Sequence, residues 1–164
     1  MRRMLGCGLA FSLAAVSVAA ASCPQDRALY RDRDNAYELA FLPDASEAQA
    51  AEHRFTLRVL NTDLQLDGYE MAAAEGDRPA GMLFFNCPEG DVTGADLEAC
   101  TVWQGVIYGT SGGTLALLPP AGQPAAESLL LPALGPAIRQ SALWGAGKAQ
   151  VAPWDVLTFK GCAS

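Results

Sequence analysis

Tyr37-Glu38-Leu39-Ala40-Phe41 and Phe55-Thr56-Leu57-Arg58-Val59 decide the fold, because in both the large apolar side chains fall on every second residue. That period of two is the mark of a strand with one buried and one wet face. Between the two runs, Asp44 to Glu52 is acidic and Ala-rich; Asp44 and Glu47 suit either the cap of a helical turn or an exposed loop. Beyond them Asp67-Gly68 is a strong two-residue hairpin signal. A turn there pairs Leu66 with Tyr69 and Leu64 with Met71 on one face.

The same reading extends along the chain. Met82-Leu83-Phe84-Phe85 is continuously apolar and predicts a central strand buried on both faces. Val102-Trp103 and Val106-Ile107-Tyr108 predict one further strand with Gly105 as a bulge. Ser111-Gly112-Gly113 turns it back into Thr114 to Leu118, which Pro119-Pro120 ends. Ala125 to Leu131 supplies a short edge, and Trp154 to Phe159 the last strand. One short helix is expected near 136–143, opened by Pro136 and closed by Gly145. Arg31-Asp32-Arg33-Asp34 alternates in charge and reads as an exposed connector. The fold class is therefore mainly β, a small antiparallel sandwich or barrel of about seven or eight short strands.

The N-terminal region gives an address. Arg2 and Arg3 precede a small and apolar run from Met4 to Ala21, the pattern of a secretory signal peptide over residues 1–21. Residues 22–164 then form a single domain, about 143 residues long, large enough to bury its own core. The whole sequence carries 11 basic and 18 acidic residues; without Arg2 and Arg3 the count is 9 against 18, a net charge of −9. Such acidity disfavours nucleic acid and anionic membrane surfaces as partners. No stable membrane insertion is expected once the leader is removed.

Cys7 lies in the leader, which leaves Cys23, Cys87, Cys100 and Cys162, an even set suited to an oxidising compartment. Four cysteines allow three pairings. The polar, turn-rich loop from Pro88 to Ala99 favours Cys87–Cys100, and Cys23–Cys162 then joins the ends of the domain. Residues 20–22 do not match a lipidation signal, and lipidating Cys23 would leave an odd set. No two cysteines lie close enough for a structural zinc site, and His53, the only histidine, does not complete one. No metal or other cofactor is expected.

Three functions compete. The first is an exported binding or structural domain of the cell envelope or extracellular space, periplasmic or secreted, with an unknown small-molecule, glycan or protein ligand. Its binding residues would come from the aromatic inventory of Trp103, Trp144, Trp154, Tyr30, Tyr37, Tyr69 and Tyr108, one or two of them stacking in a groove. The second is a small secreted serine hydrolase. Gly109-Thr110-Ser111-Gly112-Gly113 resembles the sequence around a chymotrypsin-type nucleophile, and that resemblance implies Ser111 as nucleophile and His53 as base. Asp63, Asp67, Asp91 or Asp96 would then orient the histidine. A glycine-rich hairpin turn explains the same five residues. The third is calcium-dependent binding through Glu89, Asp91, Asp96 and Glu98 in the Cys87–Cys100 loop.

Overall fold

The computed structural model describes residues 23–43, 51–75 and 77–163. The predicted leader, and the stretch containing Asp44 and Glu47, lie outside the described residues. After a short 3-10 turn at Gln25–Arg27 come β1 (Ala28–Asp32), β2 (Tyr37–Leu42), β3 (Ala51–Val59), β4 (Gln65–Met71) and β5 (Ala80–Phe84). Helix α1 (Gly94–Cys100) leads into β6 (Thr101–Gly105), β7 (Tyr108–Ser111), β8 (Thr114–Leu117) and β9 (Ser128–Leu130). Helix α2 (Leu134–Gln140) precedes β10 (Val156–Cys162). The fold is mainly β, as the alternation implies, but the described residues form ten strands and two helices in place of the expected seven or eight strands and one helix.

All ten strands belong to one antiparallel sheet, ordered β6-β5-β4-β3-β2-β1-β10-β9-β7-β8. The connection from β6 to β7 dictates its shape. Strand β6 is one edge of the sheet, β7 lies one strand in from the other edge, and only Val106 and Ile107 join them. A link that short reaches about 11 Å from Gly105 to Tyr108. The sheet must curl to bring its ends that close, and it forms a half-barrel. The expected single strand across Gly105 is therefore two strands at opposite ends of the sheet. Fully buried Ile107 turns inward between them, and a Cβ on Gly81 would lie 2.6 Å from its Cγ1.

The core fills the inside of the curl. Tyr37, Leu39 and Phe41 of β2 and Phe55, Leu57 and Val59 of β3 are all buried, as their alternation requires. Asp67-Gly68 corrects the reading of the next strand. Instead of turning, β4 runs straight through it with Leu66, Gly68 and Glu70 facing inward. Gly68 stands opposite Phe55, and a Cβ at 68 would fall 2.1 Å from Phe55 Cε2. The glycine makes room for a cross-strand aromatic ring, a use that needs no positive φ. The turn lies earlier, at Leu60 to Leu64, where Asn61 takes φ 63° and Thr62 Oγ1 accepts from Leu64 N at 3.1 Å.

Other expectations change with the topology. Strand β5 buries Gly81 and Leu83 but leaves Met82 and Phe84 half-covered, because its only neighbour beyond is the edge strand β6. Strand β9 is interior, between β10 and β7. Arg31 and Asp32 belong to β1, and Asp32 Oδ1 accepts from Ala36 N and Tyr37 N, both at 2.8 Å, closing the β1–β2 turn. Ser111-Gly112-Gly113-Thr114 is the tight turn expected, with φ of 57° and 78° at its glycines. The disulfides follow the favoured pairing, Cys23–Cys162 with Cα atoms 5.6 Å apart and Cys87–Cys100 at 5.2 Å.

Candidate functional site

Helix α2 starts the construction. Leu134 and Ile138, one turn apart, are fully buried, so Pro136, Arg139 and Gln140 stand on the outer side. The helix ends before the predicted Leu143: Ser141 is already extended, its Oγ donates to Ile138 O at 2.8 Å and accepts from Leu143 N at 3.2 Å. Leu143 and Ala149 then dip into the core while Trp144 stays half-exposed between them. Gly145 and Gly147 have φ of 134° and 72°, which only glycine adopts easily, and they let the chain double back.

The returning segment is pinned at three points. Val151 O accepts from Tyr37 Oη at 2.8 Å. Burial, followed by the charge of Asp32, pushes the Tyr37 phenol up to about 12, so it keeps the proton it donates. Pro153 packs so tightly on α2 that a Cβ on Gly135 would lie 2.6 Å from its carbonyl oxygen. Trp154 is held by the β1–β2 turn, its Nε1 donating to Asp34 Oδ2 at 2.8 Å. The Arg33 guanidinium lies 3.8 Å from the centre of the same indole.

Between α2 and this segment lies a groove of about 850 Å³ whose walls include Asp34, Arg139, Gln140, Trp144, Gln150 and Trp154. Arg33, which lies over the indole, is not among the residues that line the groove. Arg139 sits 5.6 Å from the Trp144 ring. The groove runs into a smaller hollow of about 360 Å³ that shares Asp34, Gln150 and Val151 and adds Lys148 and Thr62. Asp34 is 3.4 Å from Arg33 and offset by it. Among the described residues the charges left over along these walls are Arg139 and Lys148, a basic spot on an acidic protein.

Two of the sequence-predicted aromatics therefore meet in a groove. Trp103, Tyr30 and Tyr37 belong to the core instead. Tyr69 packs near Phe84 and below Arg54, and Tyr108 near Arg78, each away from the groove. The importance of Arg33 and Asp34 was not legible in the sequence. They lie some 120 residues before Trp154, and only the neighbouring β1 and β10 bring them to it.

The hydrolase residues are not placed side by side. Ser111 is exposed at the end of β7, whereas His53 in β3 is 3% exposed, and four strands separate β3 from β7 in the sheet order. His53 Nε2 lies 3.7 Å from Glu70 Oε2, and its ring meets the edge of Phe41. Burial, then the charge of Glu52, pushes the Glu70 carboxyl up to about 7. In the Cys87–Cys100 loop, Asp96 is occupied as a cap. Its Oδ2 accepts from Thr93 N at 2.9 Å and Thr93 Oγ1 at 2.7 Å, and these bonds lower its pKa. Among the described residues no three His, Cys, Asp or Glu side chains gather as metal ligands.

No protein-family model matches the chain, and neither does any curated protein or solved structure.

Proposed function

We propose that the protein is an exported binding domain whose ligand lies in the groove between Trp144 and Trp154. Export is supported by the leader-like residues 1–21 and by two disulfides, which persist in oxidising compartments. Among the described residues no helix is long and apolar enough to cross a membrane.

One observation carries the reading. Trp154 is 48% exposed yet fixed by a cation on one face and a carboxylate at its nitrogen. An indole ordered without being buried presents a rigid apolar surface to something outside the chain, at low entropic cost to the complex.

The three indole N–H signals of a ¹⁵N-labelled sample test this directly. Ligand should shift those of Trp154 and Trp144 and leave Trp103, whose Nε1 donates inward to Pro132 O, unmoved. A bound ligand that shifts neither groove signal would place the site elsewhere.

A further inference from the structure

We infer that the groove takes an acidic saccharide, a chain of pyranose rings carrying carboxylates, with a ring face on Trp154 and a carboxylate toward Arg139 and Lys148. This rests on the reading of the groove as a binding site and names its ligand class. Three features of the walls lead to it.

The first is the indole. Arg33, 3.8 Å from the ring centre, does not line the groove, whereas Trp154 does and, 48% exposed, offers a flat apolar surface. The axial C–H groups on one side of a pyranose ring make a surface that matches it. The second is the polar complement. Gln140 and Gln150 are exposed on the walls and neither side-chain amide is engaged within the described protein. Each offers an acceptor and two donors, the set that adjacent hydroxyls require.

The third is charge. The protein carries a formal −7, but the groove and its adjoining hollow hold Arg139 and Lys148, which have no carboxylate partner among the described residues. Lys148 Nζ donates to the Ala142 carbonyl at 2.8 Å, and Arg139 lies against the Trp144 ring. Both cations can meet an anion, and they make this spot the place where a carboxylate is attracted locally against the repulsion of the acidic remainder. An acidic peptide would share the charge. Its backbone, however, pairs best with an open strand edge, and the edges of this sheet are β6 and β8. The groove is walled by a helix, a loop and the turn between two interior strands.

Isothermal titration of the mature, oxidised protein with a galacturonate trisaccharide and with the uncharged galactose trisaccharide tests the inference. The acidic sugar should bind about tenfold more tightly at low salt and lose that advantage at high salt. Arg139→Gln with Lys148→Gln should remove the preference and leave the weak binding of the neutral sugar. Trp154→Ala should abolish binding of both. Arg139 and Lys148 are exposed, so their double variant decides the matter even if Trp154→Ala unfolds.

Equal affinity for the two sugars would overturn the acidic preference and leave the groove reading standing. If neither sugar binds while an acidic, aromatic-rich peptide shifts the Trp154 indole signal, the saccharide class is wrong and the groove is right. If none of the three shifts that signal, both readings fall.

Discussion

Trp103 and Trp154 both donate their indole N–H to an oxygen 2.8 Å away, yet one is 4% exposed and the other 48%. At Trp103 the ring closes the inside of the curl, lying over Gly105 and near Gly81, where any Cβ would crowd it. Removing an indole from water stabilises the fold by about 5 kcal/mol before entropy is counted. At Trp154 about half of that gain is forgone, on the order of 2 kcal/mol. In its place the ring has one cation, one carboxylate and a groove. The polar contacts fix where the ring points without covering it, so core and groove rings should answer different measurements.

The largest effect should come from Trp103→Ala. Loss of a fully packed ring costs about 3–5 kcal/mol in urea denaturation, while the Trp154 and Trp144 signals of the folded fraction stay in place. A loss below about 1 kcal/mol would mean that the inside of the curl relaxes as readily as the groove.

Glu70 sharpens the comparison from the core side, because it is a buried carboxyl beside His53, with Glu52 and Arg54 on the neighbouring strand. Its folded pKa of about 7 lies above the unfolded value of 4.5, so the folded state holds the proton more tightly between them. Stability from this group is complete below about pH 4.5 and is lost as pH rises through 7. That loss is at most about 3 kcal/mol. Glu70→Gln should flatten the fall, so the variant gains on the wild type from about pH 5 to pH 8. Parallel stability curves for the two proteins across that range would refute the assignment. Ligand binding in the groove should show no matching change.

Gly68→Ala comes next, costing about 1–3 kcal/mol as the new methyl meets the Phe55 ring. Adding Phe55→Leu should recover part of the loss, which a double-mutant cycle reads as coupling between the two positions.

Gly68 also shows what the sequence could tell and what it could not. Asp67-Gly68 and Gly112-Gly113 carry similar turn signals, but only the second turns, with both glycines at positive φ. A glycine serves a tight turn or a cross-strand ring equally well, and the chain between 60 and 71 does not reveal which until Phe55 stands opposite. Strands β2 and β3 were legible because their burial is set by their own alternation. Strand β1 was not, since Arg31 and Asp32 hid it; the arginine pairs sideways with Glu38 at 2.6 Å and the aspartate closes a turn. Of the three pairings open to the four cysteines, the one favoured by the turn-rich loop and by the closeness of domain ends is the one present. The sequence named both groove tryptophans but could not separate them from Trp103, because exposure depends on which segments curl inward.

Arg33→Ala should give the smallest change in stability and the cleanest contrast with Trp103. An exposed guanidinium over an indole contributes about 0.5–1 kcal/mol, and its exposed ion pair with Asp34 less than that. Global stability should therefore fall by under about 1 kcal/mol. The effect belongs in the order of the ring: without the cation against it, Trp154 keeps its bond to Asp34 but can swing about it. Ligand affinity should drop by about threefold to tenfold, with faster ring motion in ¹⁹F-tryptophan relaxation, because the complex must now order what the free protein no longer holds. If affinity is unchanged while ring motion rises, the preorganisation of Trp154 is irrelevant to binding. If stability instead falls as far as in Trp103→Ala, the groove is part of the core and the distinction between the two tryptophans collapses.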